Sequence, residues 1–165
     1  MIRVSKYCLL YVCLCCCSLN AQVKDTSVNW ISFEQLYDSI QKHPKKVFID
    51  FYADWCVPCK RMDKEVFTHP QVKAILKNDY YAVKMNVESP DTIRFGEQTF
   101  VNERLNRRNP VHQIALLMAR RKNRPFSLPA MVIMDEKFKA RARYFQFLNK
   151  DQLIEILKEN YSNTD

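Results

Sequence analysis

The chain has 165 residues, of which 47% are hydrophobic and 27% charged, and its formal net charge is +8 at pH 7. This length predicts one domain with a single core, and the ordinary composition argues against long disorder and against a coiled coil. The positive charge is concentrated in one stretch, which predicts either a solvated basic face or a docking surface for an acidic partner or a membrane. No nucleic-acid-binding motif accompanies it, so nucleic acid is not predicted as a partner. The stretch contains Arg104, Arg107, Arg108, Arg120, Arg121, Lys122 and Arg124.

The first residues have the pattern of an export signal. Arg3 and Lys6 provide a basic start, and an uncharged, mostly apolar run follows them. Cleavage is predicted after Ala21, because a small residue there precedes a polar segment. The chain would then consist of a signal peptide at residues 1–21 and an exported domain at residues 22–165, which predicts a periplasmic location.

The cysteine distribution separates the leader from the predicted domain. Five of the seven cysteines lie in the leader, so its removal leaves only Cys56 and Cys59. Two cysteines do not make a disulfide scaffold, which needs several spaced pairs. Two alternatives to simple cleavage stay open: the leader remains as a membrane anchor, or Cys17 carries a lipid anchor.

Periodicity predicts the elements of the first half of the domain. Ser32 and Gln35 form a capping box before a helix that ends at His43. The run from residue 46 to residue 52 is apolar except for Asp50, which predicts a strand that is covered on both faces. A helix is predicted at residues 56–68 and a second one from Pro70 onward. A second strand follows at residues 80–87.

The middle of the chain is predicted to contain a hairpin and an amphipathic helix. Gly96, the only glycine, and Glu97 suit the tight turn of a hairpin over residues 91–101. A helix is predicted over residues 111–121. Its apolar side is assigned to Ile114, Leu117 and Met118.

The end of the chain is predicted to add two strands and a helix. The strands are expected at residues 130–134 and 140–147, and Asn149 with Gln152 caps the last helix. Alternating strands and helices followed by a terminal hairpin predict an α/β fold, with a mixed sheet flanked by helices on both faces. The buried side of the last helix is assigned to Leu153, Ile156 and Leu157.

Cys56 and Cys59 are spaced for redox chemistry. Cys56 is expected at a helix N-terminus, where unpaired N–H groups and the helix dipole stabilise a thiolate. A thiolate is the form that attacks a disulfide, and Cys59, nearly one turn later, can then resolve the mixed disulfide. The alternative is half of a zinc site, which needs two further Cys or His ligands. The three histidines are scattered and form no close pair: His43, His69 and His112.

The segment VFIDFYADWCVPCK resembles the active-site segment of thioredoxin-like proteins. With RMDKEVF and HPQV after it, the chain is especially similar to the soluble reductase domain at the end of the membrane protein DsbD, and to secreted thioredoxin-family proteins of Bacteroidetes. The resemblance is close over residues 46–87 and loose over residues 128–160. It implies a thioredoxin fold in which residues 88–127, with the hairpin, the helix and the basic stretch, form an insertion that selects partners.

The resemblance also implies roles for individual residues. Cys56 would be the attacking nucleophile and Cys59 the resolving thiol. Trp55 would shield the site and shape its docking surface. Asp50 would be the buried carboxylate that accepts or relays the proton of Cys59, and Lys84 on the neighbouring strand would pair with it. An unpaired buried carboxylate costs several kcal/mol, about 2–7 for a polar group and more for a charge, so such a partner is expected.

A second landmark of the resemblance lies before the third long strand. Pro129 is expected to have a cis peptide bond and to face the disulfide, with the backbone of Leu128 pairing with an extended substrate. Val57 and Pro58, between the cysteines, resemble the reducing members of the family and border the docking surface. Leu128 is larger than the family's usual residue there, and residues 145–147 lack the family's glycine, so a narrower or more adhesive groove is expected.

The sequence therefore predicts a monomeric, extracytoplasmic thiol–disulfide oxidoreductase that reduces disulfide-bearing exported proteins. It would need no bound cofactor, because electrons travel as the dithiol. A membrane thiol donor would recharge it, since the extracytoplasmic space lacks a reducing thiol pool. The alternatives are a disulfide oxidase, an isomerase, or a non-catalytic binding module in which the cysteine pair is structural.

Overall fold

The computed structural model describes residues 27–162, with side chains up to residue 160. The predicted signal peptide, its cleavage site and Cys17 lie outside these residues. None of the helices in the described range has the length and apolar character needed to span a lipid bilayer.

The helices and strands follow the predicted order along the chain, with one short additional strand at the start. The helices are α1 (Phe33–Lys42), α2 (Val57–Glu65), α3 (Pro70–Asp79), α4 (Gln113–Ala119) and α5 (Lys150–Ser162). The strands are β1 (Trp30–Ile31), β2 (Lys46–Tyr52), β3 (Tyr80–Asn86), β4 (Ile93–Phe95), β5 (Gln98–Phe100), β6 (Ala130–Met134) and β7 (Ala140–Tyr144).

A five-stranded mixed sheet forms the centre of the fold, in the order β1-β3-β2-β6-β7. The strands β1, β3 and β2 are parallel, whereas β6 and β7 run antiparallel to their neighbours. The strands β4 and β5 form a separate hairpin. The predicted α/β architecture is confirmed. The apolar strand β2 is buried on both faces, as its composition predicted, and it occupies the centre of the sheet.

The two faces of the sheet carry two buried clusters, and successive residues of β2 point into them alternately. Ile49 belongs to a first cluster with side chains of α1, α4 and both redox cysteines. Phe48 belongs to a second cluster with side chains of α2, α3 and α5. Asp50, two residues after Phe48, therefore points to the face of the second cluster. The helix α2 joins both clusters, because Cys59 lies in the first and Met62 in the second.

The predicted helix caps are present. The hydroxyl of Ser32 accepts a hydrogen bond from the Gln35 N–H, and the Gln35 amide oxygen accepts one from the Ser32 N–H. The same exchange starts α5, where the Asn149 side chain accepts from the Gln152 N–H and Gln152 reaches back to the Asn149 N–H. These bonds satisfy backbone donors that a helix start leaves free.

The hairpin turn confirms the role assigned to the only glycine. Gly96 has φ +64°, a left-handed conformation that favours glycine because it has no Cβ. A Cβ at this position would also lie 3.1 Å from Cε2 of Tyr37 in α1. The hairpin therefore packs tightly against the first helix.

Three predicted elements are longer than those observed. The helix α2 ends at Glu65 instead of residue 68, with Val66 as its C-cap, and Phe67 is buried in the second cluster. The helix α4 covers Gln113–Ala119 instead of residues 111–121, since His112 caps its start and Arg120 is extended. The strand β7 ends at Tyr144 instead of residue 147.

The early end of β7 has a packing reason. Phe145 packs against the first cluster and Phe147 against the second. Residues two apart in a strand share one face, so these side chains cannot reach opposite clusters from a continued strand.

Two predicted helix faces were partly wrong. Leu117 was assigned to the apolar side of α4 but is 64% exposed. The helix packs through Ile114 and the small side chains Ala115 and Ala119, which allow a close approach to the core and turn Leu117 towards solvent. In α5, Leu153 and Leu157 are buried as predicted. Ile154 is also buried, however, while Ile156 is only partly so.

Candidate active site

Cys56 and Cys59 lie where the central strand β2 gives way to α2. The Cys56 N–H donates to the Ala53 carbonyl at 2.9 Å, which closes the turn after the strand. Cys56 is the N-cap of α2, and its sulfur accepts a hydrogen bond from the Cys59 N–H at 3.3 Å. The predicted position of the pair at a helix N-terminus is confirmed, so backbone N–H groups and the helix dipole act on the Cys56 sulfur.

The two cysteines form a disulfide with an S–S distance of 2.04 Å and a Cα–Cα distance of 5.3 Å. Both residues are almost fully buried. The residues between them, Val57 and Pro58, are exposed. Their role at a docking surface stays a prediction. Both sulfurs are used by the disulfide, and within residues 27–162 no three His, Cys, Asp or Glu side chains are arranged to hold a metal ion.

Asp50 is a buried carboxyl in the middle of β2, with 2% of its surface exposed. Its Oδ2 lies 3.6 Å from Nζ of Lys84, the residue opposite it on β3. Burial raises the pKa of Asp50 to about 7, and this rise is opposed by the positive charge of Lys84. The predicted pairing of these residues is confirmed. With this pKa, the Asp50 carboxyl gains or loses its proton near neutral pH.

Lys84 has a second carboxylate partner that sequence reasoning missed. Its Nζ also donates a hydrogen bond to Oδ1 of Asp63 in α2. Asp63 comes four residues after Cys59, about one helical turn further on, and its negative charge adds to the rise in the Asp50 pKa. The i,i+4 spacing from Cys59 was the available signal, but it does not reveal that Lys84 reaches α2 from β3.

Trp55 is 64% exposed beside the disulfide. Its indole Nε1 donates to Oε1 of Glu88 at 2.8 Å, and nearby the Asn86 amide donates to the Asp54 carboxylate at 3.2 Å. These bonds fasten the turn before Cys56 to the last residue of β3 and to the chain that follows it. Glu88 was not identified from the sequence, because its partner is distant along the chain. The shielding role of Trp55 stays a prediction.

The Leu128–Pro129 peptide bond is cis, as the resemblance implied. The next residue, Ala130, pairs with Phe51 in β2, so Pro129 lies beside the end of β2 that leads to the cysteines. Leu128 is half-buried and packs against the first cluster, which includes Cys56 and Cys59. The cis-proline segment and the disulfide thus border one part of the surface. Substrate pairing along Leu128 stays a prediction.

A family model described as thioredoxin-like matches residues 29–135 of the chain. Among curated proteins, the chain is 42% identical over 59 residues to the thiol:disulfide interchange protein DsbD of Photorhabdus laumondii, an alignment covering 36% of this chain and 10% of that protein. It is 40% identical over 52 residues to DsbD of Escherichia coli strain K12, covering 32% of this chain and 9% of that protein. The matched part thus spans about a tenth of the length of these relatives.

Solved structures with the same fold include the oxidised C-terminal domain of DsbD from Neisseria meningitidis. Its TM-score is 0.51 at 20% identity, and the alignment covers 79% of this chain and 97% of that domain. A thioredoxin from Thermus thermophilus has a TM-score of 0.58 at 18% identity, covering 81% of this chain and 87% of that protein. These likenesses establish the fold.

Proposed function

Because the chain belongs to the thioredoxin-like family, we propose that it is an extracytoplasmic thiol–disulfide oxidoreductase that reduces disulfide bonds of exported proteins. The observation that carries the proposal is the Cys56–Cys59 disulfide across the first turn of α2. A buried carboxyl with a pKa of about 7 and a cis proline lie close together in the sheet, because Asp50 precedes Phe51 and Pro129 precedes Ala130, the partner of Phe51. A structural disulfide would require neither of these.

The first step uses the reduced form of the pair. The Cys56 thiolate, stabilised by the N-terminus of α2, attacks one sulfur of the substrate disulfide. A bond forms between Cys56 and that sulfur, the substrate disulfide breaks, and the second substrate sulfur leaves as a thiolate that takes a proton from solvent. Val57 and Pro58 are exposed, and the substrate approaches from their side.

The second step releases the substrate. Cys59 loses its proton, and the resulting thiolate attacks the Cys56 sulfur of the mixed disulfide. The Cys56–Cys59 bond forms and the other substrate sulfur leaves, so two electrons in total pass from the dithiol to the substrate. The resemblance to thioredoxin-like proteins assigns the Cys59 proton to Asp50, which would accept or relay it, and the Asp50 pKa of about 7 suits such a base. Lys84 stabilises the ionised form of Asp50 that accepts this proton, because its ammonium lies within 3.6 Å of the carboxylate.

The direction of electron flow and the location are inferred from several features. Val57 and Pro58, between the cysteines, resemble the reducing members of the family. Curated relatives of the chain are named thiol:disulfide interchange protein DsbD, and residues 1–21 have the pattern of an export signal. A reductase outside the cytoplasm needs a dithiol donor at the membrane to restore its own dithiol, because that space lacks a reducing thiol pool. The electrons travel as the dithiol, so no bound cofactor takes part.

The reduction potential of the pair tests the direction. The full chain is equilibrated in thiol–disulfide buffers, quenched with acid and alkylated, and the tryptic peptide of residues 47–60 is then quantified by mass. This peptide contains Cys56 and Cys59 and no leader cysteine. A potential near −270 mV, about that of thioredoxin, supports a reductase, whereas about −120 mV would make the protein an oxidant.

Substituting Cys59→Ser tests the enzymatic mechanism itself. Reduced C59S should accumulate a mixed disulfide through Cys56, because the resolving thiol is gone, and C56S should form none at this site. The readout is the mass of the 47–60 peptide joined to a disulfide-bearing probe protein such as insulin. A chain that binds the probe equally well with both cysteines replaced, and turns over no disulfide, would instead be a binding module.

A further inference from the structure

Arg121, near the end of the predicted insertion, connects three segments of the chain. Its Nη2 donates a hydrogen bond of 2.7 Å to the Ser127 hydroxyl and a longer one of 3.4 Å to the Pro125 carbonyl. Its guanidinium carbon also lies 4.3 Å from the centre of the Phe145 ring. One side chain thus joins the end of α4, the segment before Pro129 and the segment after β7.

The segments held by Arg121 border the redox site. Three half-buried apolar side chains from them pack against the buried cluster that contains both cysteines. Two of these side chains belong to the segment before Pro129, and the third is the ring covered by Arg121. They are Phe126, Leu128 and Phe145. Arg121 therefore braces apolar side chains that pack against the same buried cluster as the two cysteines.

Arg121 differs from the other cations of its stretch. Arg120, Lys122 and Arg124 are exposed, whereas Arg121 is half-buried. Among the described residues it forms no salt bridge, and its contacts are a hydroxyl, a carbonyl and a ring. A planar guanidinium can donate in a fixed direction and stack on an aromatic ring at once, whereas a lysine ammonium does not reproduce that geometry.

We propose that Arg121 is a positioning residue that sets the affinity of the enzyme for protein substrates. This inference rests on the proposed function. An extended substrate chain has to dock beside Leu128 and Phe145 for its disulfide to reach Cys56. Arg121 fixes both segments in place before a substrate docks. Binding therefore costs less conformational entropy, because this surface of the enzyme is already ordered. A small disulfide needs only the Cys56–Cys59 pair and no docking surface, so its reaction does not depend on Arg121.

The test compares Arg121→Lys and Arg121→Gln with Arg124→Gln, which removes a charge from an exposed neighbour in the same loop. Each full-length variant is assayed with insulin as a protein disulfide and with 2-hydroxyethyl disulfide, a small neutral one. We expect the KM for insulin to rise about tenfold in both Arg121 variants, with kcat within about twofold, because one charged hydrogen bond and one cation–π contact are weakened. Turnover of 2-hydroxyethyl disulfide and the reduction potential should match the wild type, and R124Q should match it throughout.

Three results would overturn the inference. An unchanged KM for insulin in R121K and R121Q would show that the brace does not affect docking. An equal loss with both disulfides would show that the substitution damages the redox centre itself. Wild-type behaviour of R121K beside a defective R121Q would assign the effect to charge instead of geometry. A wild-type protein that turns over neither disulfide would refute the proposed function, and this inference with it. Failure of the inference alone would leave the wild type active, so the two outcomes are distinguishable.

Discussion

Replacing Asp50 by asparagine should stabilise the protein at high pH and slow its catalysis. Burial raises the pKa of Asp50 from 3.8 to about 7, so the folded protein disfavours the ionised carboxylate. A carboxyl whose pKa is higher in the folded than in the unfolded state takes up a proton on folding when the pH lies between those two pKa values. Its contribution to stability is therefore most favourable at low pH, decreases from about pH 4 to about pH 7, and stays unfavourable above that.

The size of the effect follows from the two pKa values. A difference of about 3 corresponds to a cost of about 4 kcal/mol once the carboxyl is ionised in both states. The asparagine side chain of the variant carries no charge, and Lys84 keeps its second partner, Asp63. We expect Asp50→Asn to raise the free energy of unfolding by about 2–4 kcal/mol at about pH 8, and the gain to shrink towards zero at about pH 4.

Urea unfolding of the oxidised protein across this pH range measures the effect. Free leader thiols are alkylated beforehand, so that only the Cys56–Cys59 disulfide is present. Asp38→Asn is the matched control, because Asp38 is an exposed carboxylate on α1 and its loss should change stability little at any pH. A gain that is the same at all pH values, or no gain at about pH 8, would refute the reasoning about Asp50.

The same variant tests the proposed proton acceptor. If Asp50 takes the proton of Cys59, resolution of a preformed mixed disulfide should be slower in D50N by about a hundredfold, and its rate should lose the inflection near pH 7. The measurement is the release of a labelled thiol from the Cys56 mixed disulfide as a function of pH. A rate profile identical to that of the wild type would exclude the role.

Further predictions concern the predicted insertion. Burial lowers the pKa of His112, whose Nδ1 accepts a hydrogen bond from the Ile114 N–H. The neutral imidazole therefore contributes stability that is present above about pH 6.5 and is lost as pH falls through the lower pKa of the folded state. In H112N, the free energy of urea unfolding should depend less on pH below about 6.5. Ile114→Ala should destabilise by about 2–5 kcal/mol, whereas exposed Leu117→Ala should change stability by less than about 0.5 kcal/mol; equal effects in thermal unfolding would contradict the observed helix face. Gly96→Ala should lower the unfolding free energy by about 1–2 kcal/mol, since it combines a left-handed backbone with a contact on Tyr37; a neutral result would show that the hairpin shifts freely.

Local sequence patterns were enough to predict most of the elements and the chemistry. The capping pair Ser32 and Gln35 forms its hydrogen bonds within one helical turn. The apolar run of β2 predicts a buried strand without any knowledge of its neighbours in the sheet. The spacing of Cys56 and Cys59 similarly fixes the cysteines across one helical turn. The resemblance to thioredoxin-like proteins added the cis bond at Pro129 and the pairing of Asp50 with Lys84. Each of these depends on neighbours along the chain or on a motif carried by the family.

What the sequence did not reveal depends on contacts between distant segments. Asp63 reaches Lys84 only because the parallel pairing of β2 and β3 brings that lysine against α2. The exposure of Leu117 was decided by the packing of small residues in α4. In the sequence, Arg121 is one of seven cations in a basic stretch, and nothing distinguishes it from the others. Only the fold shows that its guanidinium packs on the ring of Phe145. A hydrophobic or charged pattern tells which side chains prefer burial or water, but tertiary packing decides how deeply each one is buried and which partner it meets. Burial first, and then the charges of Lys84 and Asp63, determine the pKa of Asp50.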